Sequence, residues 1–411
     1  MYDLNLSPEQ IEFRDTVGDF ARKRIHPVAT HPDRLQPFAK PLLTELLDEA
    51  SELGIRTLCL SETAGGVGMD CLSACLVFEE LSAGDVDIAV TLAHTALASK
   101  LLFDGLMSAP QRDAHLGAFI EDATAHLAFA QLPGGAPEGW DYHAPDLSRD
   151  VPPLTAQKSD DGWVLNGRLD DVLNASLARL VAIHVPGQGV FLIPKDTNGL
   201  TVDTTTDPFA RTTADGESAV QWSHGMVSDC VFDNCAVSVE HYVPAGSELD
   251  TAVRCFAEET QILQAAINLG FARIAMESAI EYAKIRRQGG RNIVEHEGIG
   301  LKIADMSLKL EAARNLVWKA AWVSDNPDAI ANRSIADLPY PVMAQMLAAE
   351  SANEVTLLAA EHFGAMGVMR DMPLQKYVND SFIFLNAGDH DSSTKLLVAD
   401  AVTDYRTDAQ N

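Results

Sequence analysis

Basic charge is scarce in this chain. It carries 30 lysines and arginines against 59 acidic groups, a formal net charge of -29 over 411 residues. Such a field opposes binding to nucleic acid or to an anionic membrane. It leaves room for an anionic ligand held by local arginines. Cysteine is also scarce, with six in the whole chain. Cys59, Cys71, Cys75, Cys230, Cys235 and Cys255 lack metal-site spacing, so no metal is expected. Cys71 and Cys75 stand one helical turn apart beside Leu72, Leu76 and Phe78, as core thiols do. A reduced, cytoplasmic setting is the expectation. No unbroken apolar run approaches the roughly 20 residues that cross a bilayer, and no secretory leader is visible, so membrane insertion is not expected. The sequence has no internal repeat and no low-complexity tract. Its length suggests two or three domains, able to bury a large core without disulfides or metal.

What is present divides into three parts. Ser7, Pro8 and Gln10 open a first helix, with Ser7 as cap and Pro8 in the first turn. Ile11, Phe13, Val17 and Phe20 give it an apolar side. Further helices are predicted near Leu43–Leu53, Asp70–Leu81 and Ile88–Leu101, and from Pro110 towards Phe119. Residues 1–124 therefore read as an N-terminal helical domain. From Ala125 the pattern changes to short strands: His126–Ala130, Leu154–Gln157, Trp163–Gly167, Leu180–Val185, Gly189–Ile193, Ala219–Trp222 and Asp229–Phe232. Gly, Asp and Pro turns separate them, which predicts an antiparallel barrel or sandwich over 125–245. The Pro-, Gly- and Asp-rich stretch after Ala130 has the length of a functional loop. Helical periodicity returns near Glu248, and 246–411 reads as a C-terminal helix bundle. Its helices are predicted to about Arg287, then at Glu297–Ser324, Tyr340–Phe363, Met372–Phe384 and about Thr394–Tyr405. The fold class is α+β.

The stretch from Glu259 to Arg314 organises the bundle. Leu263, Ala266, Leu269, Ala272, Met276, Ala279 and Ala283 recur at three- and four-residue steps. Arg286, Arg287 and Gln288 then run into Gly289 and Gly290, which can stop a helix. Two packed helices joined by a basic turn is one reading. A turn that carries arginine to a phosphate is the other.

Several segments together resemble the flavin-dependent acyl-CoA dehydrogenase superfamily. They are Tyr282-Ala283-Lys284-Ile285-Arg286-Arg287-Gln288, Ile299–Met306, Glu361-His362-Phe363-Gly364-Ala365-Met366-Gly367 and Asp371–Leu374. Trp163–Gly167 and Val231–Val237 fit within the strand region. The resemblance implies FAD held between the β module, the C-terminal bundle and a neighbouring subunit. It also implies a homotetramer or homodimer, or a hetero-oligomer with a partner. The substrate would be an acyl-CoA thioester and the electron acceptor electron-transfer flavoprotein or oxygen. A carboxylate would remove the α-proton while the flavin accepts the β-hydrogen as hydride.

Carried onto this chain, the resemblance assigns cofactor contacts to Gln131, Gly135, Leu173, Arg286, Glu361, Gly364 and Gly367. Arg286 would meet the pyrophosphate, as guanidinium geometry suits. Gly364 and Gly367 would let backbone approach the cofactor. The chain also departs from the family. Gln131-Leu132-Pro133-Gly134-Gly135 replaces a loop that usually reads Thr-Glu-Pro. Asp171-Val172-Leu173-Asn174 lacks the aromatic and hydroxyl side chains that face the flavin. Glu361 stands where glutamine is common, and a carboxylate beside pyrophosphate is unfavourable unless it faces ribose hydroxyls. Counting back from Lys395–Ala399 puts Gly388 at the usual position of the glutamate base. Asp389 is adjacent and is the candidate catalytic group, with Gly388 and Gln261 at substrate positions. Thr260 occupies the alternative base position of other branches. Three functions remain open: α,β-dehydrogenation, an atypical oxidation or elimination without the usual base, and a degenerate subunit that shares a flavin site.

Overall fold

The computed structural model describes residues 5–32, 42–132, 154–203, 224–369, 371–386 and 392–403. Helix α1 (Pro8–Phe20) begins as its sequence requires. Ser7 N–H donates to Gln10 Oε1 at 2.8 Å, and Gln10 N–H donates to Ser7 Oγ at 3.1 Å, a reciprocal capping box. Its apolar side is narrower than expected, because Ile11 is exposed while Val17 is buried. Then follow α2 (His26–Ala29), α3 (Thr44–Glu52), α4 (Cys71–Ser82), α5 (Val86–Ser99) and α6 (Ala109–Glu121). Asp70 caps α4 by accepting from Ser73 N–H, and Asp85 caps α5 by accepting from Asp87 and Ile88 N–H. Every residue of α5 is buried. The span Val86–Leu106 is long and apolar enough to cross a membrane, but 94% of its apolar window lies inside the protein, so it is a core helix.

Strands β1 (His126–Gln131), β2 (Leu154–Ser159), β3 (Gly162–Leu173), β4 (Ala178–Val185), β5 (Gly189–Pro194), β6 (Leu200–Asp203), β7 (Val227–Ser238) and β8 (Tyr242–Pro244) form two four-stranded sheets. Their orders are β1-β4-β5-β8 and β2-β3-β7-β6. Alternate residues of both sheets, among them Leu165, Val181, Phe191, Cys230 and Phe232, interleave between them. One pair departs from the expected antiparallel pattern: β1 runs parallel to β4, with Phe129 opposite Ala182. The outer side of that sheet is covered by helix residues such as Phe103, Phe119 and Val253. The expected strand Ala219–Trp222 lies outside the described residues.

Helix α7 (Ser247–Ile285) is 39 residues long, roughly 58 Å at the α-helical rise. It ends earlier than the Gly-Gly pair. Arg287–Gln288 (β9) and Arg291–Asn292 (β10) form a hairpin, with Gly289 and Gly290 at its tip in left-handed conformation. The joint between the two long helices is therefore a β-hairpin. Helices α8 (Glu297–Asp325), α9 (Asp328–Ala331), α10 (Tyr340–Phe363), α11 (Leu374–Asn386) and α12 (Ser392–Thr403) complete the bundle. The N-terminal helices and the bundle share one core, in which Phe78, Leu81 and Ile88 meet Leu263, Phe271, Leu310 and Val355. Across it, Arg273 and Arg314 pair with Glu79 and Glu80 in a largely buried ionic group.

Candidate active site

The middle of α5, the end of β3 and residues 225–226 meet around Leu173 and Asn174. Asn174 has φ +64°, a conformation that Asn tolerates better than most residues. Its Nδ2 donates to Thr91 O at 2.9 Å and to Thr95 Oγ1 at 3.0 Å, and its N–H donates to Met226 O at 2.6 Å. These bonds fix the end of β3 against α5. Leu173 is half-buried, and a Cβ on Gly225 would lie 2.8 Å from its Cδ1. Asp171, at φ +55°, is tied by its N–H to Asp229 Oδ1 at 2.9 Å. Thr91 Oγ1, Asn174 Oδ1 and Ser228 Oγ are buried here without hydrogen-bond partners among the described residues.

His94 on α5 fixes β1 in the same way. Its Nε2 accepts from Phe129 N–H at 3.1 Å. Burial pushes its pKa down to about 4, so the ring is neutral and able to accept. Gln131 ends β1 with an exposed side chain. On α7, Phe256 packs edge-on against Phe129 and His94. Thr260 Oγ1 donates to Phe256 O at 2.7 Å, which leaves it no role as a base. Glu259 is held by Lys100 at 2.6 Å. Gln261 is half-buried at this end of the helix.

The other expected contacts lie at the far end of the bundle. Arg286 follows α7, fully exposed, and its guanidinium makes no hydrogen bond or ion pair among the described residues. Tyr282 stacks on Phe363 at 4.2 Å, and its hydroxyl reaches Met366 Sδ at 3.6 Å, so the basic hairpin lies beside the turn Gly364–Val368. A Cβ on Gly364, at φ +55°, would meet open space, whereas one on Gly367 would lie 2.4 Å from Ala360 O. Gly367 is thus required by packing as well. Glu361 pairs with Lys302, which offsets the charge that made it a poor neighbour for phosphate. About 25 residues of α7 separate Gln261 from Arg286, roughly 37 Å along the axis. Gln261, expected at the substrate, and Arg286, expected at the pyrophosphate, therefore lie far apart along one helix. Gly135, Gly388 and Asp389 lie outside the described residues. A cavity of about 700 Å³, lined by Asp48, Asp122, Ser176, Arg179 and Lys195 among others, contains none of the expected residues.

A buried ionic group borders the Leu173 region and has no counterpart in the sequence reading. His224 Nδ1 lies 3.0 Å from Asp87 Oδ1, and Lys376 Nζ lies 2.6 Å from Asp380 Oδ2 and 3.6 Å from Asp85 Oδ2. Only Lys376 and Asp380, one turn apart on α11, left a sequence signal. Burial opposes the charge on His224, but the hydrogen bond and attraction of Asp87 outweigh it and raise its pKa. Burial likewise opposes the charge on Lys376, and Asp380 and Asp85 raise its pKa above the usual range.

Two family models match. "Acyl-CoA dehydrogenase, N-terminal domain" covers residues 7–121 and "Acyl-CoA dehydrogenase, C-terminal domain" covers 250–388, together more than half of the chain. The chain belongs to the acyl-CoA dehydrogenase superfamily. It is an acyl-CoA dehydrogenase-like oxidoreductase of this FAD-dependent family. Benzylmalonyl-CoA dehydrogenase of Aromatoleum aromaticum is 27% identical over 409 residues, covering 98% of this chain and 100% of that one. The structure of butyryl-CoA dehydrogenase from Megasphaera elsdenii aligns with a TM-score of 0.77 at 24% identity, covering 98% of this chain and 100% of its own. PigA with FAD and proline aligns with a TM-score of 0.77 at 22% identity, covering 98% and 99%. The last two establish the shared fold.

The residues present fit FAD. An unpaired arginine beside a glycine with open space over its Cα is a donor set suited to a pyrophosphate.

Proposed function

We propose that this chain is an FAD-dependent oxidoreductase that desaturates an acyl-CoA thioester between its α and β carbons. The observation that supports it most directly is the pair of family matches on helical regions that flank a two-sheet module. Bound FAD would supply a hydride acceptor for the substrate's β-hydrogen. Gln131 and Leu173 would meet it from the β module. Arg286 would neutralise the pyrophosphate, Gly364 and Gly367 would admit its backbone neighbours, and Glu361, paired with Lys302, would face the ribose. Gly135 follows Gln131 in the same loop of the sequence and is proposed as a further cofactor contact. Asp389 is our candidate base for the α-proton, with Gly388 and Gln261 beside the substrate.

Arg286 stands roughly 37 Å along α7 from Gln261, and we read this as a shared site, in which Arg286 of one copy serves the flavin of another. Ile285 next to Arg286, Leu301 and Leu308 on α8, and Val368 and Met369 at the end of the Gly364–Val368 turn are exposed. An apolar surface of that kind suits burial against a second copy. A homotetramer or homodimer follows, with electron-transfer flavoprotein or oxygen taking the electrons, in a cytoplasmic setting.

One observation favours a second reading. Asp171 and Leu173 put neither an aromatic ring nor a hydroxyl beside the flavin position, and the segment is rigidly held. An open flavin face would suit oxygen-dependent oxidation. Anaerobic bleaching of the purified yellow protein by acyl-CoA, with an enoyl-CoA product by mass, is expected for desaturation. Oxygen uptake without enoyl-CoA would select the second reading. Protein that binds FAD yet never bleaches with any thioester would defeat the first.

A further inference from the structure

His224 joins three elements that come from distant parts of the chain. Its Nδ1 lies 3.0 Å from Asp87 Oδ1 at the start of α5. Its Nε2 lies 3.1 Å from the carbonyl oxygen of Asp380 on α11. Its ring packs 4.6 Å from that of Phe384, which stacks in turn on Phe271 of α7. The next residue, Gly225, donates its N–H to the same Asp87 Oδ1 at 3.0 Å. Gly225 has φ +77°, and the space a Cβ would need is filled by Leu173 Cδ1 at 2.8 Å and Val90 Cγ1 at 2.9 Å. Met226 O then accepts from Asn174 N–H. Residues 224–226 therefore connect α11 directly to Leu173 and Asn174. The last residue of α11, Asn386, stands three places before Asp389.

The hydrogen-bond partners fix the charge state of the ring. A carbonyl oxygen only accepts, so Nε2 must donate to Asp380 O. Asp87 Oδ1 already accepts from Gly225 N–H, and burial of its carboxyl is outweighed by the hydrogen bond and charge of His224, which hold it below the usual carboxylate range. Asp87 is therefore an acceptor as well. Both ring nitrogens face acceptors, and only the imidazolium satisfies both. Loss of one proton keeps the bond to the carboxylate, the stronger acceptor, and sets a lone pair against Asp380 O. The link that fails on deprotonation is thus the one to α11.

We propose that His224 is a positioning residue whose protonated ring fastens α11 against the Leu173 end of β3. The proposal rests on the reading of Leu173 as a reaction-site residue. Among the described residues, the charged groups that face the ring are Asp87 and Asp85 at the start of α5, and Asp380 and Lys376 from α11. From α7 it meets Phe271 through Phe384. Asp87 and Lys376 are displaced away from the middle of the pH range in opposite directions. Asp85 is raised, by burial first, and is retained in the control variant.

The test is backbone hydrogen exchange of the full chain, corrected for intrinsic rate, between about pH 6 and pH 9. In wild type, exchange in α11 is expected to rise about tenfold towards high pH, the scale of a lost charged hydrogen bond. In His224→Gln the α11 amides should exchange faster at low pH and lose that dependence. Turnover of an acyl-CoA should follow: kcat falls in the variant with little change in KM, and its alkaline limb disappears. A flat wild-type exchange profile overturns the proposal without recourse to any variant. A pH dependence that persists in His224→Gln overturns it too. Exchange that behaves as expected while both turnover profiles coincide would remove the positioning role. Wild-type protein that binds no FAD would instead defeat the flavoenzyme reading, and the exchange measurement would still report on the fastening by itself.

Discussion

A site divided between two copies makes a quantitative demand on mixed protein. Arg286→Glu removes an exposed guanidinium that has no partner among the described residues. The fold should tolerate it, since an exposed substitution away from special backbone costs about 0.5 kcal/mol or less. A charge-assisted bond to phosphate contributes about 1.5–3 kcal/mol, so FAD affinity should fall about 10- to 100-fold, with repulsion adding to this. Gln131→Trp blocks the other contact group at the exposed end of β1. Each variant alone should be pale. In a random mixture of the two, about half of the dimers contain one of each, and each of these holds one intact site and one doubly damaged site. About one quarter of wild-type flavin and activity should return. The assay is flavin absorbance per chain after co-refolding or co-expression. Two pale variants that restore nothing in mixture would exclude the shared site. An Arg286→Glu protein that retains full FAD affinity would remove Arg286 from the cofactor contacts altogether.

Other outcomes follow from the packing. Gly367→Ala forces a Cβ to within 2.4 Å of a backbone oxygen and should destabilise by about 1–3 kcal/mol in urea unfolding. Gly364→Ala meets open space and should cost only its backbone strain, about 1–2 kcal/mol. Arg273→Met leaves Glu79 and Glu80 short of a partner in the interior. A loss of about 3–5 kcal/mol is expected, measured by calorimetry at neutral pH. The pH profile of stability should reflect the His224–Asp87 pair. His224 has a raised folded pKa, so its contribution is complete below the ordinary histidine value and is lost as pH rises through the folded one. Asp87 is depressed, so its contribution is present above the ordinary aspartate value and is lost as pH falls through the folded one. Asp87→Asn should flatten both limbs in a chemical-denaturation series.

Much of the fold was legible because it follows local rules. Ser7, Pro8 and Gln10 dictate the start of α1 by capping alone, and α10 runs from Tyr340 to Phe363 as its periodicity requires. Where long-range contacts decide, the sequence was silent. Nothing local distinguishes a β1 that lies parallel to β4 from one that lies antiparallel, because the covering helices set the arrangement. The end of α7 was misjudged for a related reason. Gly289 and Gly290 do break structure, but as the tip of a hairpin whose pairing overrides the last helical turn. The candidate site divides in the same way. Arg286, Glu361, Gly364 and Gly367 stand in recognisable motifs, whereas His224 meets partners 137 and 156 positions away. Only Lys376 and Asp380 share a helix turn.

The arrangement also bears on how a divergent flavin loop can be tolerated. On the proposed reading Asp171 and Leu173 stand where the usual aromatic and hydroxyl groups would be, yet the segment is held by Asn174 on Thr91 and Thr95, by Met226 O, and by Gly225 packed against Leu173. Rigidity here comes from α5 and residues 224–226, and not from side chains directed at a cofactor. The end of β3 can therefore keep its position while the chemistry presented to the flavin changes. A buried histidine that needs two acceptors then makes the seating of α11 against this segment conditional on a proton. If Leu173 were replaced by threonine in this chain, the scaffold predicts that the fold would persist, since Leu173 is only half-buried. Any change in oxygen reactivity would then come from the presented side chain alone.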